Sequence, residues 1–416
     1  MKSFIKNIGK YLVAILKILI RKKDKILISC HDYQDYSGNS RFLYEYLSKY
    51  SDMDIYWFTN NSKVKRYLKS KSFKYISHKN IFKAIKIMLE TKIVINSGDA
   101  YVDIFSIFEE SSVYKISLTH GFGPKTDFLK LDQNLIKRIH KFDYVNFPSK
   151  YSIENNATKL YRLSRSKIIS YGYPKNDSLF KKNESEMLHK DKFIIKNLFP
   201  NMDITNSTVI LYTPTWRNYK SDIPFFCMPD YSHEIFSDLL DDKDILFICS
   251  PHPINRPNKP FFDQFKTKSN EKTISNNKTM HESFNHNRFV TSYNDQTLID
   301  VNNLMHEADI LLNDYSTTSI DYCITGKPQV FCLPDHEIYK KHVVLNKNYI
   351  EMLPGNWCED FETFQKIIDE IIMNKDKYIQ KYDNNIKRYL SMYYDVKNQN
   401  SSEKIKLFLL GLLKNK

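Results

Sequence analysis

The chain has 416 residues, 42% hydrophobic and 26% charged, a composition that can fill the cores of two or three domains of an ordinary globular protein. Its six cysteines show no metal-ligand spacing and sit mostly in apolar runs, which reads as reduced thiols in a cytosolic compartment and excludes a disulfide scaffold. The net charge of +14 is local: residues 1–25 carry eight Lys or Arg against Asp24, 63–92 carry ten against Glu90, and 403–416 carry four against Glu403, leaving the rest net acidic. Basicity confined to three segments points to a directional contact with an anionic surface.

Residues 1–23 open the chain. From Phe4 to Ile20 an apolar stretch is interrupted by Lys6, Lys10 and Lys17, which fall with Arg21 on one helical stripe. The longest uninterrupted apolar run, Tyr11 to Leu16, is too short to span a bilayer, and no small-residue cleavage site follows. An amphipathic helix lying in the membrane interface fits this pattern, and a helix packed on the protein itself is the alternative.

Residues 24–182 alternate strand-like runs (26–30, 55–59, 93–96, 116–119, 144–147) with helical patterns such as Arg41–Tyr50 and Asn80–Glu90. This is the rhythm of a Rossmann-like domain. Its basic stretch 63–92 interleaves Lys with Ile, Phe and Leu, but no nucleic-acid-binding signature accompanies the charge, so anionic lipid is the expected partner. A polar segment near residue 181 reads as a linker. Residues 183–395 repeat the rhythm, with runs at 209–213, 245–249, 310–312 and 330–333, giving a second Rossmann-like domain. Two such domains facing each other across a cleft make an α/β fold of GT-B type with parallel sheets. In 396–416, a basic amphipathic helix sets Ile405, Phe408, Leu409, Leu412 and Leu413 on one face, suited to a surface anchor or to packing back on the body.

Polar clusters end several strand-like runs, where parallel sheets bind ligands. Thr119-His120-Gly121-Phe122-Gly123-Pro124-Lys125 combines a histidine, two glycines that let backbone approach a ligand, and a lysine. Thr213-Pro214-Thr215-Trp216-Arg217 offers hydroxyls and an arginine suited to bidentate phosphate contact, and Ser250-Pro251-His252-Pro253 a histidine held between prolines. Asn313-Asp314-Tyr315-Ser316-Thr317-Thr318-Ser319 puts hydroxyls where a strand hands over to a helix, a phosphate cradle without a glycine-rich loop or, equally, a helix cap.

In order over nearly the whole chain, these clusters resemble the CDP-glycerol:poly(glycerophosphate) glycerophosphotransferase family, the teichoic acid polymerases and primases. Tyr36-Ser37-Gly38-Asn39, His120-Gly121 with Lys125, Gly172-Tyr173-Pro174-Lys175-Asn176-Asp177, Tyr212 to Arg217, His252-Pro253, Asp300 to Leu304, and Asp314 to Thr317 with Asp321-Tyr322 carry the likeness. Phe122, Ser250 and Thr317 depart from the family's usual residues, and the missing basic residue beside His252 leaves the donor's identity open.

The resemblance implies attack of an acceptor hydroxyl on the β-phosphate of a CDP-linked polyol, displacing CMP, with His120 as base and His252 stabilising the leaving phosphate. Lys125, Thr215, Arg217, Ser316 and Thr317 would serve the donor phosphates, Asp314 and Asp321 would position the hydroxyl-rich turn, and Gly121, Gly123 and Asn39 would shape the acceptor loop. No cofactor or metal is called for. The partners implied are the CDP-linked donor, a membrane-linked polyprenyl-type acceptor or growing polymer, and the cytoplasmic face of an anionic membrane bound peripherally, with no nucleic acid. A GT-B glycosyltransferase using a sugar nucleotide and a non-catalytic polymer-binding module are the competing readings.

Overall fold

The computed structural model describes residues 20–30, 35–97, 113–121, 123, 133–180, 192–217, 223–251, 286–292, 298–345, 348–395 and 400–414. The expected N-terminal amphipathic helix, His252 and Lys125 lie outside them. The chain divides into two units: residues 1–122, 128–178 and 391–416 form the first, and 123–127 with 179–390 the second.

In the first unit, Lys25–Ser29 (β1), Asp54–Phe58 (β2), Tyr75–Ile76 (β3), Thr91–Asn96 (β4), Tyr114–Ser117 (β5), Tyr144–Asn146 (β6) and Ile168–Ile169 (β7) form one sheet in the order β3-β2-β1-β4-β5-β6-β7. Every pairing is parallel. Runs such as Ile26-Leu27-Ile28 and Ile93-Val94-Ile95 are buried along their whole length because helices cover both faces of a parallel sheet. One face holds Leu27, Val94 and Val145 against Ala84, Ile87 and Met88 of the helix Ile81–Glu90.

In the second unit, Thr208–Tyr212 (β8), Ile245–Cys249 (β9), Phe289–Thr291 (β10), Ile310–Asn313 (β11), Gln329–Cys332 (β12) and Asn356–Cys358 (β13) pair in parallel in the order β10-β9-β8-β11-β12-β13. This is the doubly wound Rossmann order, whose winding reverses between β8 and β11. Phe225, Phe236, Phe247, Phe361 and Phe364 fill one side, while Tyr315, Tyr339 and Tyr349 stack on the other. Both units are therefore α/β with parallel sheets.

The C-terminal helix Ser401–Lys414 belongs to the first unit. Its face of Ile405, Leu409 and Leu412 is buried, Phe408 packs edge-on to Tyr144 at 5.0 Å, and Tyr46 donates to Glu403 at 2.5 Å. The Asp177 carboxylate accepts from the backbone N–H groups of Ser401 and Ser402 at 2.7 and 2.8 Å, so a distant residue caps this helix. Of the two roles its amphipathic pattern allowed, the apolar stripe serves packing on the body; Leu407, 59% exposed, and Leu410 stay outside. Among the described residues no helix is long and apolar enough to cross a membrane.

Candidate active site

In the first unit, β5 ends at Ser117, and Leu118 and Thr119 carry the chain to His120, whose side chain is exposed. Thr119 has φ +54°, in the left-handed region that a β-branched residue rarely enters. It is fully buried and its side-chain oxygen lies 2.7 Å from the Leu118 carbonyl, 3.0 Å from the Asn146 carbonyl and 3.1 Å from the Tyr173 hydroxyl. Its backbone carbonyl accepts from Asn39 Nδ2 at 2.9 Å, and Asn39 Oδ1 accepts from the Lys175 N–H at 3.3 Å. Asn146 Nδ2 donates to the Gly172 carbonyl at 2.6 Å. The conformation beneath His120 is thus fixed from β5, β6, the Gly172–Asp177 turn and the helix Gly38–Tyr50. Gly121 follows with φ +145°, which a residue with a Cβ tolerates poorly.

Asn39, expected on the acceptor loop, is instead wholly buried and ties the His120 segment to the Lys175 turn. An asparagine pairs a donor and an acceptor on one short side chain, which suits it to join two backbone segments. Thr119, Asn146, Tyr173 and Lys175 were given no role from the sequence. The Gly172–Asp177 motif was legible, but its work depends on partners 26 or more residues away in the chain.

In the second unit, the ends of β8 and β11 flank the point where the winding reverses. Arg217, expected as a phosphate ligand, is a buried strut. Its Nε and Nη2 donate to the two oxygens of Asp335 at 2.9 and 3.0 Å, and its Nη1 donates to the Thr215 carbonyl at 2.7 Å and to Asp314. Its guanidinium lies over Tyr339 and Tyr315 at 5.1 and 5.4 Å from the ring centroids. Burial opposes its charge, but Asp314 and Asp335 outweigh that and hold its pKa above the usual arginine range. Asp314, also buried, accepts from the Thr215 N–H at 3.0 Å, the Thr215 hydroxyl at 2.5 Å and the Tyr315 N–H at 2.6 Å. Thr215, expected among the donor-phosphate residues, and Asp314, expected to position the hydroxyl-rich turn, therefore bind each other. Planar forks and carboxylates of opposite charge neutralise one another when both are desolvated. Asp321 is buried in the short helix Thr318–Tyr322.

The hydroxyl-rich turn remains half-open. Ser316, Thr317 and Thr318 are partly exposed at the start of that helix. Thr318 Oγ1 links to Thr213 Oγ1 at 2.9 Å and Ser316 Oγ at 3.0 Å, and Asn313 Nδ2 donates to the Ser316 carbonyl at 3.1 Å. As a cap the cluster is weak: Thr317, at the cap position, makes no capping bond, and Ser316 Oγ accepts from the Thr318 N–H only at 3.4 Å. Gly123, assigned to this second unit, leaves no room for a side chain, since a Cβ there would come 2.7 Å from Thr317 Cγ2. Just after β9, Ser250 is buried and accepts from the Ser292 hydroxyl at 2.9 Å. Among the described residues no group of three or more His, Cys, Asp or Glu is arranged to hold a metal.

The chain is 25% identical to a teichoic acid poly(glycerol phosphate) polymerase of Bacillus spizizenii, over 99% of this chain and 98% of the relative. It is 23% identical to a teichoic acid glycerol-phosphate transferase of Staphylococcus aureus, over 91% and 92% of the two chains. The solved wall teichoic acid polymerase TagF superposes with a TM-score of 0.72 at 19% identity, covering 100% of this chain and 98% of that one, which shows a shared GT-B-type fold. The model of the family CDP-Glycerol:Poly(glycerophosphate) glycerophosphotransferase matches residues 11–410. With the strand-end motifs falling inside that span and the fold agreeing, this chain belongs to the CDP-glycerol:poly(glycerophosphate) glycerophosphotransferase family.

Proposed function

We propose that the protein moves a glycerophosphate or related polyol phosphate unit from a CDP-activated donor to a hydroxyl of a growing surface polymer, with His120 as the base. The observation that carries this is an exposed histidine at the carboxyl end of a parallel strand, on a buried, hydrogen-bonded support. The acceptor oxygen attacks the β-phosphorus and a new P–O bond forms. The bond from that phosphorus to the bridging oxygen breaks, CMP leaves, and the acceptor proton passes to the imidazole. His252 stabilises the charge on the departing CMP, and Lys125 with the Ser316 and Thr317 hydroxyls receives the pyrophosphate. Arg217 and Asp314 act one step back, by holding the loop after β8 to the turn after β11.

The acceptor in this proposal is membrane-linked, with the protein peripheral at the cytoplasmic face. The supporting observation is Phe82, 85% exposed in a helix whose Lys83 and Lys86 are also exposed, with Arg66, Lys69 and Lys71 exposed nearby in sequence. Cations meet anionic headgroups there and an aromatic ring enters the interface.

CMP release with CDP-glycerol, CDP-ribitol and a panel of sugar nucleotides tests the donor; turnover with sugar nucleotides alone would replace this reading with glycosyl transfer. Replacing Ser316 and Thr317 together by Ala raises KM for the donor more than for the acceptor. An unchanged donor KM returns those hydroxyls to the turn itself.

A further inference from the structure

We propose that Thr119, with Tyr173, is a positioning residue for His120, its hydroxyl holding the backbone from which the imidazole projects. This rests on the reading of His120 as the base. At φ +54° glycine, asparagine or aspartate would sit with less strain than threonine. The chain carries a β-branched residue there, and what that residue adds is a hydroxyl in a site with no solvent.

The hydroxyl has one proton. Two of its three neighbours, the Leu118 and Asn146 carbonyls at 2.7 and 3.0 Å, can only accept. The Tyr173 phenol at 3.1 Å is therefore the donor, and the direction of the chain is set: Tyr173 to Thr119, Thr119 to the carbonyls. The Asn146 carbonyl belongs to the end of β6, so this bond anchors the residue before His120 to the neighbouring strand. Tyr173 is fixed in turn by the edge of Tyr394, with ring centroids 6.3 Å apart, and by the Lys175 ammonium 5.6 Å from its centroid. The residues that hydrogen-bond Thr119 are buried, and His120, the next residue in the chain, is exposed. Loss of the hydroxyl leaves the imidazole present but loosely aimed, which lowers the rate of proton removal and leaves donor binding untouched.

The test uses the full chain, CMP release from CDP-glycerol and thermal unfolding. Thr119→Gly relieves the backbone strain but removes the hydroxyl, and lowers kcat on the order of tenfold with KM for the donor unchanged. Thr119→Ser keeps the hydroxyl and restores kcat to near the wild-type value. Tyr173→Phe, which removes the hydroxyl that bonds Thr119 and keeps the ring, lowers kcat about fivefold with the same KM. It carries the test alone if the Thr119 variants do not fold. Wild-type kcat in Thr119→Gly or in Tyr173→Phe, while His120→Ala is inactive, overturns the positioning role and leaves the base in place. An active His120→Ala overturns the reading beneath it.

Discussion

The two units end their central strands in opposite ways. Beneath His120 the first unit builds a buried support of Thr, Asn and Tyr side chains bonded to backbone carbonyls, and His120 itself is exposed. The second unit buries its charges, with Arg217 clamped between Asp314 and Asp335, and leaves hydroxyls at the surface. A group proposed as a general base is best mounted on a rigid support, since its reach to the acceptor proton depends on where the imidazole is held. A turn proposed to receive an anion is best kept rigid by an ion pair whose own charges are already matched.

The comparison can be broken most sharply at His120. His120→Ala lowers kcat for CMP release by a factor on the order of 10² to 10⁴, the usual range for a lost general base, with thermal unfolding unchanged because the side chain is exposed. If unfolding shifts as well, the imidazole is part of the support and not its cargo.

Arg217→Met should act in the reverse sense. It strands two carboxylates beside an apolar side chain and destabilises the second unit by about 3–5 kcal/mol, read from chemical denaturation. Arg217→Lys recovers only part of this, since an ammonium cannot match the two-pronged bond to Asp335. A soluble, stable Arg217→Met protein with weakened donor binding would restore the arginine to the phosphate site.

Asp177→Ala asks whether the last helix depends on the same turn that supports His120. It removes the cap from Ser401 and Ser402 and costs about 1–2 kcal/mol. Hydrogen exchange should rise first in residues 401–414, and unaltered exchange there would make the cap dispensable.

The smallest effect is at Lys327, whose ammonium donates to the His306 and Ala308 carbonyls at the end of the helix Val301–Glu307. Burial lowers its pKa to about 8. A lysine with a depressed folded pKa contributes its stability above the unfolded value of 10.5, and this contribution is lost as pH falls through about 8. The stability difference between wild type and Lys327→Met therefore moves in favour of wild type as pH rises from 8 toward 10.5. A difference that stays flat over that window rules out the buried ammonium as its source.

The sequence by itself determined the central architecture. Buried parallel strands need apolar residues on both faces, so runs such as Ile245–Cys249 are plain in one dimension, and Asp300 marks the start of the helix Val301–Glu307 by capping Asn302. The family's strand-end motifs were equally legible, as short contiguous strings. The strands that escaped, Tyr75–Ile76, Ile168–Ile169, Phe289–Thr291 and Asn356–Cys358, are the four sheet edges, two or three residues long. So short a run has no periodicity and is a strand only because a neighbour offers it hydrogen bonds. Tertiary structure alone likewise decided that Arg217 is a strut and that Asn39 is buried. It also decided that Asp177 caps a helix more than two hundred residues away. A polar side chain in a motif looks the same whether it faces a substrate or a partner from another segment. Only the folded chain shows which of its hydrogen bonds are already made.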